Sequence, residues 1–475
     1  MFDFNVYVMV EALVGLLVFL RLGVTWKVLI AFFVMSQCFD LVPQIVYGYF
    51  VWDAGAIMLL IAAAQLMFTR PQAPQTRALS VRVLWVFFIW LLFCLLYSLL
   101  VYGYPVLNTL KVSRQMIIGY LSIFVFLRLF RVDDKALPTF IKWLYVVTYI
   151  LLFVAIVQYV IGTPIMPGLA ETLAATLYRG ALRYIPVFLS VSLFYLWVIF
   201  SKYFQGESVK LHELVYAGMV LAVVALTYTR GIYIAVLASF LVMLFLLQLR
   251  RRLKVTSVVI FLVTVLLGVT VLIAGGLADR VLDRAASGLA LVLDKHETRS
   301  KEDIDTFTGR LLLVQERFSL VAEHNPIVGY GFLHENDLSA SLRSNLKYGS
   351  IASTPEMMEQ YRNGHPYVLA LYSVDIGWGD IALNTGFVGF SLFLLFVAAF
   401  LLSYKKLKND YPPLSHYRLA FFVQTITLLL LMFNGSTFTH SVQIPALMIA
   451  GYWYCSATRR IEARQPIDSN LSKGQ

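Results

Sequence analysis

The sequence predicts an all-α protein, a polytopic transmembrane helix bundle of about 12–13 spans with one large extramembrane loop. Composition is the first reason: 60% of the 475 residues are hydrophobic and 14% charged, where soluble domains carry roughly 25% charged residues. Length is the second. Apolar runs of about 17–25 residues recur, each long enough to cross ~30 Å of hydrocarbon as a helix. The third is a single long interruption, 277–381, in which polar and charged residues return.

In chain order the expected spans are 5–20, 28–50, 53–69, 83–102, 116–130, 139–161, 184–201, 213–229, 231–249, 255–276, 382–403, 417–434 and 437–456. No small-residue cleavage site follows the first run, so no cleavable signal peptide is expected. The chain divides into an N-terminal transmembrane bundle (1–276), the loop (277–381), C-terminal transmembrane helices (382–456) and a tail (457–475). The loop opens with LADRVLDRAASGLALVLDKH, where Leu282, Ala285, Leu289 and Val292 or Leu293 line one helical face, as in a helix lying on the membrane surface or capping the bundle. A polar link, ETRSKEDIDT, follows. TFTGRLLLVQERFSLVAEHNP then places Leu311, Val314, Phe318 and Val321 at amphipathic spacing and stops at Asn325-Pro326. There is no internal repeat, which weighs against transporters built from duplicated halves.

The net charge of +11 is distributed for orientation, not for nucleic acid. Lys and Arg concentrate in alternate short connections, such as Arg250 to Arg252 with Lys254, and Lys405, Lys406 and Lys408. By the positive-inside rule these are cytoplasmic, and the large loop is then periplasmic or extracellular. Cys38, Cys94 and Cys455 fall in expected spans, with neither metal spacing nor a disulfide framework.

Against this background the basic residues on the other face stand out: Lys111, Arg114, Arg179, Arg183 and Arg230. A lone arginine at a helix entrance is explained by snorkelling to lipid headgroups. Arg114, Arg179, Arg183 and Arg230 together on the low-charge face point to a lipid-borne phosphate or diphosphate, because guanidinium binds phosphate bidentately and stays charged. Four of seven histidines lie in the loop, none with zinc spacing, and no metal site is expected. His324 reads as structural and His365 as a base or substrate ligand. Asp380, next to Ile381, reads as the N-cap of the following span. Asp375, followed by Ile-Gly-Trp-Gly, needs another role. A carboxylate beside arginines at the edge of a low-dielectric region can act as a general base for a hydroxyl.

Three segments carry a family resemblance. TYTRGIYIAVLASFLV resembles the Ser/Thr-Arg-Gly helix entrance of the O-antigen ligase and Wzy-type O-antigen and exopolysaccharide polymerase superfamily. TGRLLLVQERFSLVAEHNPIVGYGF is similar to its outer-loop segment, in which Gly-Arg opens a helix and Asn-Pro-x-x-Gly-x-Gly closes it. ALNTGFVGFSLFLLF resembles the span that re-enters the membrane. The resemblance implies a multi-pass enzyme of the bacterial inner (cytoplasmic) membrane with its site facing the periplasm. Its substrate would be an undecaprenyl-diphosphate-linked oligosaccharide, with no cofactor and a chain-length regulator as a further partner. Arg230 and Arg310 would hold the diphosphate, with Arg183, Arg179 and Arg114 as helpers. The ligases carry His-Asn eleven residues before the Gly-x-x-Gly of the re-entering helix; here that place is held by Asp375-Ile376. The departure favours a polymerase, a metal-independent glycosyltransferase with Asp375 as base, over ligation to lipid A-core. The loop aromatics Tyr330, Phe332, Tyr361, Tyr367 and Trp378 suit either stacking on sugar rings or anchoring at the interface. A lipid-linked oligosaccharide flippase would want charge at midplane depth, whereas here charge collects at one rim.

Overall fold

The computed structural model describes residues 6–43, 45–46, 49–71, 78–163, 165–166, 185–227, 229–249, 254, 256, 306–339, 341–342, 346, 371–372, 377–403, 412–433 and 435–462; at 6–13, 49, 230, 306–310, 412–414 and 458–462 it describes the backbone alone. Among them are thirteen α-helices: α1 (Val6–Arg21), α2 (Val24–Met35), α3 (Val51–Phe68), α4 (Leu79–Leu100), α5 (Val106–Val132), α6 (Ala136–Ile161), α7 (Leu189–Gln205), α8 (Leu211–Leu226), α9 (Arg230–Leu249), α10 (Thr306–His324), α11 (Gly377–Leu402), α12 (Pro412–Leu431) and α13 (Gln443–Glu462). The protein is an all-α polytopic membrane bundle. Six helices, α3 to α6, α9 and α11, are long and apolar enough to cross a bilayer, and α2, α8 and 415–431 are shorter apolar helices. The expected span 255–276 and the expected surface helix at 277–296 lie outside the described residues.

The outward faces are apolar. Met67, Phe68, Leu100 and Val160 are each about four-fifths exposed or more, which water would penalise and hydrocarbon does not. Inside, the bundle is tied by polar side chains that have no water to turn to. The Trp197 indole donates to Gln424 Oε1 at 2.9 Å, and the Gln424 amide donates to the Ser190 carbonyl at 2.6 Å. The Trp453 indole donates to Ser80 Oγ at 3.1 Å. Buried among apolar neighbours, such bonds fix which helix faces meet.

The same contacts orient the ends. Ser201 is hydrogen-bonded to His416 and Ser190 to Gln424, so α7 and α12 run antiparallel. The Lys254 N–H donates to the Phe204 carbonyl, which puts the end of α9 beside the end of α7. Arg230, first residue of α9, therefore lies at the opposite end of the bundle. That end also holds the C-terminus of α12 and the start of α11, where the Gly377 N–H reaches the Met432 carbonyl at 3.2 Å.

One expected span is corrected. The apolar run 28–50 is not a single helix: α2 stops at Met35, and a short antiparallel pairing of Ile45–Val46 with Tyr49–Phe50 follows. Between them Gln37, Cys38, Phe39 and Asp40 all have positive φ, from 47° to 67°, so Cys38 lies in this turn and not in a span. A left-handed turn costs roughly 1–2 kcal/mol per non-glycine residue. Burial offsets it: Phe39 is fully buried against Phe32 and Phe33, and Asp40 Oδ2 accepts the Val187 N–H at 3.0 Å. Hydrophobicity alone cannot register a turn whose residues are this apolar and this buried.

Burial pushes the Asp40 carboxyl up to about 6, opposed by the Val187 bond. Below about pH 4 the group is protonated in both folded and unfolded chains. Between about pH 4 and 6 the unfolded chain ionises first, so stability falls as pH rises through that window, by roughly 3 kcal/mol in all. Asp40→Asn, which keeps an acceptor for Val187, is expected to melt at a higher temperature than wild type at pH 7.5 and at the same temperature near pH 4. An equal difference at both pH values contradicts this account.

Candidate functional site

At the Arg230 end, α11 is built around a break. Inside the helix Gly386 adopts φ 63°, ψ −173°, a region essentially reserved for glycine. The break exposes carbonyl and amide groups of α11, and the Asn325-Pro-Ile-Val-Gly-Tyr-Gly331 loop after α10 uses them. The Phe387 N–H donates to the Pro326 carbonyl at 2.8 Å, and the Tyr330 N–H to the Leu383 carbonyl at 2.9 Å. Asn325 shapes the loop: its Oδ1 accepts the Ile327 and Val328 N–H groups, and its amide donates to the Tyr102 hydroxyl, an Asx turn. Gly329, at φ 72°, sits so near α11 that a Cβ there would be 2.5 Å from the Leu383 carbonyl oxygen. On α4, Ser98 Oγ accepts the Phe332 N–H at 3.0 Å, and the Trp90 indole donates to the Thr385 carbonyl at 2.9 Å. The Asn-Pro-x-x-Gly-x-Gly segment thus seats α10 on the broken span.

Beside this junction lies a polar cluster. Asp380, 0% exposed, is inside the first turn of α11 and not at its N-cap, because the helix begins at Gly377; this corrects the expected capping role. Its Oδ2 lies 3.7 Å from His440 Nε2, and His440 Nδ1 is hydrogen-bonded to Gln115 Oε1 at 2.8 Å. Across α10, Arg317 is 1% exposed. It donates from Nε to the Leu371 carbonyl at 2.7 Å and from Nη1 to Glu316 at 2.5 Å. Burial pulls its guanidinium pKa down, and nearby Glu316, Asp380 and Glu335 pull the other way. Glu335 also accepts the Tyr372 N–H at 3.0 Å. Buried charges persist only with such partners. The cluster couples α5, α10, α11 and the turn before α13, and leaves His440, 39% exposed in its side chain, at its edge.

The expected site residues fall into three groups. Arg179, Arg183, His365, Tyr367 and Asp375 lie outside the described residues, as does Tyr361. Arg230 opens α9, and Arg310 stands in the first two turns of α10. Arg310 precedes Arg317 by seven residues, about two turns and ~10 Å of helix, so both stand on one face of α10. Arg114 and Trp378 are described in full. Arg114 pairs with Asp53 and lies over the Phe50 ring, so its charge is matched within the protein. Trp378 packs against Phe390, Phe393 and Phe433. Tyr330 and Phe332 are buried, Tyr330 stacked 4.2 Å from His324, which removes both from sugar contact. His324 is structural, as its place before Asn325-Pro326 implies, and burial lowers its imidazole pKa. Sequence reasoning missed Arg317 and His440. The first was signalled by its two-turn spacing from Arg310, the second by being a lone histidine at the head of an apolar run.

A bundle of apolar helices with the amphipathic α10 docked on a broken span, and buried charges beside the junction, defines a multi-pass membrane protein with a built polar site at one end. Residues 214–394, from α8 to the middle of α11, match the Wzy_C family model, described as O-antigen ligase. Over those residues the chain is similar to that family, in line with the resemblance in its motifs. No curated protein matches the chain.

Proposed function

We propose that this protein is a glycosyltransferase of the bacterial inner membrane that polymerises polysaccharide repeat units carried on undecaprenyl diphosphate, at a site facing the periplasm. One observation carries the reading: the matched segment 214–394 contains Arg230 at the start of α9 and Arg310 within the first two turns of α10, and Arg230 shares its end of the bundle with the start of α11. Helix N-termini carry partial positive charge, and arginine adds a fixed one, which together suit a diphosphate.

In this reading Arg230 and Arg310 hold the donor's diphosphate, with Arg179 and Arg183 as helpers. An acceptor sugar hydroxyl attacks C1 of the donor sugar. The C1–O bond to the diphosphate breaks, and the diphosphate leaves with the electron pair, stabilised by the arginines. The hydroxyl proton passes to the Asp375 carboxylate. A single displacement of this kind inverts C1.

The test is reconstitution of purified protein with a lipid-linked repeat unit. A ladder of products that persists in EDTA is expected. Transfer to lipid A-core without a ladder would make the protein a ligase, the activity in the matched family's description. The Asp375-Ile376 pair, where ligases carry His-Asn, is the reason to expect polymerisation.

A further inference from the structure

At the end of the bundle opposite Arg230, α6, α7 and α8 enclose a cleft of about 560 Å³ with α12 and α13. Its size is that of a small-ligand site. Leu137, Ile141, Val198 and Ile199 form apolar walls, and Tyr145 and Tyr195 form the floor. The Tyr195 hydroxyl donates to the Ile141 carbonyl at 2.6 Å. The Tyr145 hydroxyl is buried and has no hydrogen-bond partner among the described residues, although its ring stacks on Tyr216 at 4.7 Å. Leaving such a group unsatisfied costs roughly 1–3 kcal/mol. A ligand that supplies its partner is the direct remedy.

The rim is charged and balanced. Lys142, Lys202, Asp134, Glu213 and His212 all line the cleft, and Lys202 Nζ is 2.7 Å from Glu213 Oε1. Glu213 is in the first turn of α8 and Lys202 in the last turn of α7. Apolar walls therefore rise to charges at the helix ends, the depth at which headgroups meet acyl chains. A purely anionic ligand would meet two carboxylates there. A zwitterion finds both its partners.

We propose that this cleft binds a zwitterionic aminophospholipid of the surrounding bilayer. One acyl chain lies along the Ile141–Ile199 wall, the phosphate is held by Lys142 and Lys202, and the ammonium by Asp134. An ester or phosphate oxygen accepts from Tyr145. The site is separate from the diphosphate reading and stands whether or not that reading holds.

The full-length chain in detergent micelles, titrated with phosphatidylethanolamine or phosphatidylglycerol of identical chains, tests it by native mass spectrometry and thermal shift. Phosphatidylethanolamine is expected to bind about tenfold more tightly than phosphatidylglycerol. Lys142→Ala and Tyr145→Phe are each expected to weaken it by about tenfold, the scale of one hydrogen bond to a charged group. Lys142 is exposed, and Tyr145→Phe removes only an unsatisfied hydroxyl, so neither change threatens folding. Equal binding of the two lipids, or wild-type affinity in both variants, overturns the proposal.

Discussion

Arg230→Ala and Arg310→Ala are each expected to slow chain elongation by at least about a hundredfold while leaving the melting temperature within a few degrees of wild type. The size follows from the chemistry. A diphosphate leaving group develops charge as its bond to C1 breaks, and removing one preorganised donor from such a centre typically costs about 10²–10³ in rate. Lysine keeps the charge but not the planar fork, so Arg230→Lys and Arg310→Lys should recover only part of the loss. Asp375→Asn removes the proton acceptor and is expected to cost about 10²–10⁴. The measurement is the initial rate of ladder formation from purified lipid-linked repeats, with thermal unfolding of each variant in parallel. Unimpaired elongation in all three of Arg230→Ala, Arg310→Ala and Asp375→Asn would end the catalytic assignment.

Gly386→Ala is expected to prevent accumulation of folded protein. A Cβ at this position would fall on the Ile327 carbonyl and within 2.6 Å of the Val328 nitrogen. The backbone at φ 63°, ψ −173° is strained for any L side chain as well. Strain and overpacking together cost about 3 kcal/mol or more, a large part of the roughly 5–15 kcal/mol that holds a typical domain. Gly218→Ala on the exposed face of α8, where a Cβ meets nothing within 4 Å, is the control and should be neutral or stabilising by up to about 1 kcal/mol. A Gly386→Ala protein with wild-type yield and melting temperature would mean that the loop does not depend on the break.

The loop motif illustrates how far a sequence can be read. Asn325-Pro326 correctly marked the end of α10, because proline lacks the N–H the helix needs and restricts the residue before it. What the following glycines are for was not legible. Their reason is a neighbour nearly sixty residues away, the break at Gly386, and no local pattern encodes that approach. Asp380 shows the converse error. Local rules favour an N-cap for an aspartate at an apolar boundary, yet α11 starts earlier and carries Asp380 to within 3.7 Å of His440, in the turn before α13. The turn at Gln37–Asp40 was hidden for a third reason: residues buried by tertiary packing look, in hydropathy, like residues buried by lipid.

The sequence by itself determined the membrane class, most of the helix positions and the place of Arg230 at a helix start. Those follow from hydrophobic length, from proline and from charge asymmetry, all properties of contiguous residues. Only the tertiary structure decided that Arg114 is paired with Asp53, that Arg317, Asp380 and His440 form one cluster, and that α10 is seated on a break in α11. Each of these depends on helices far apart in the chain meeting at particular faces, and in lipid those faces are chosen by close packing and scattered hydrogen bonds, not by hydrophobicity.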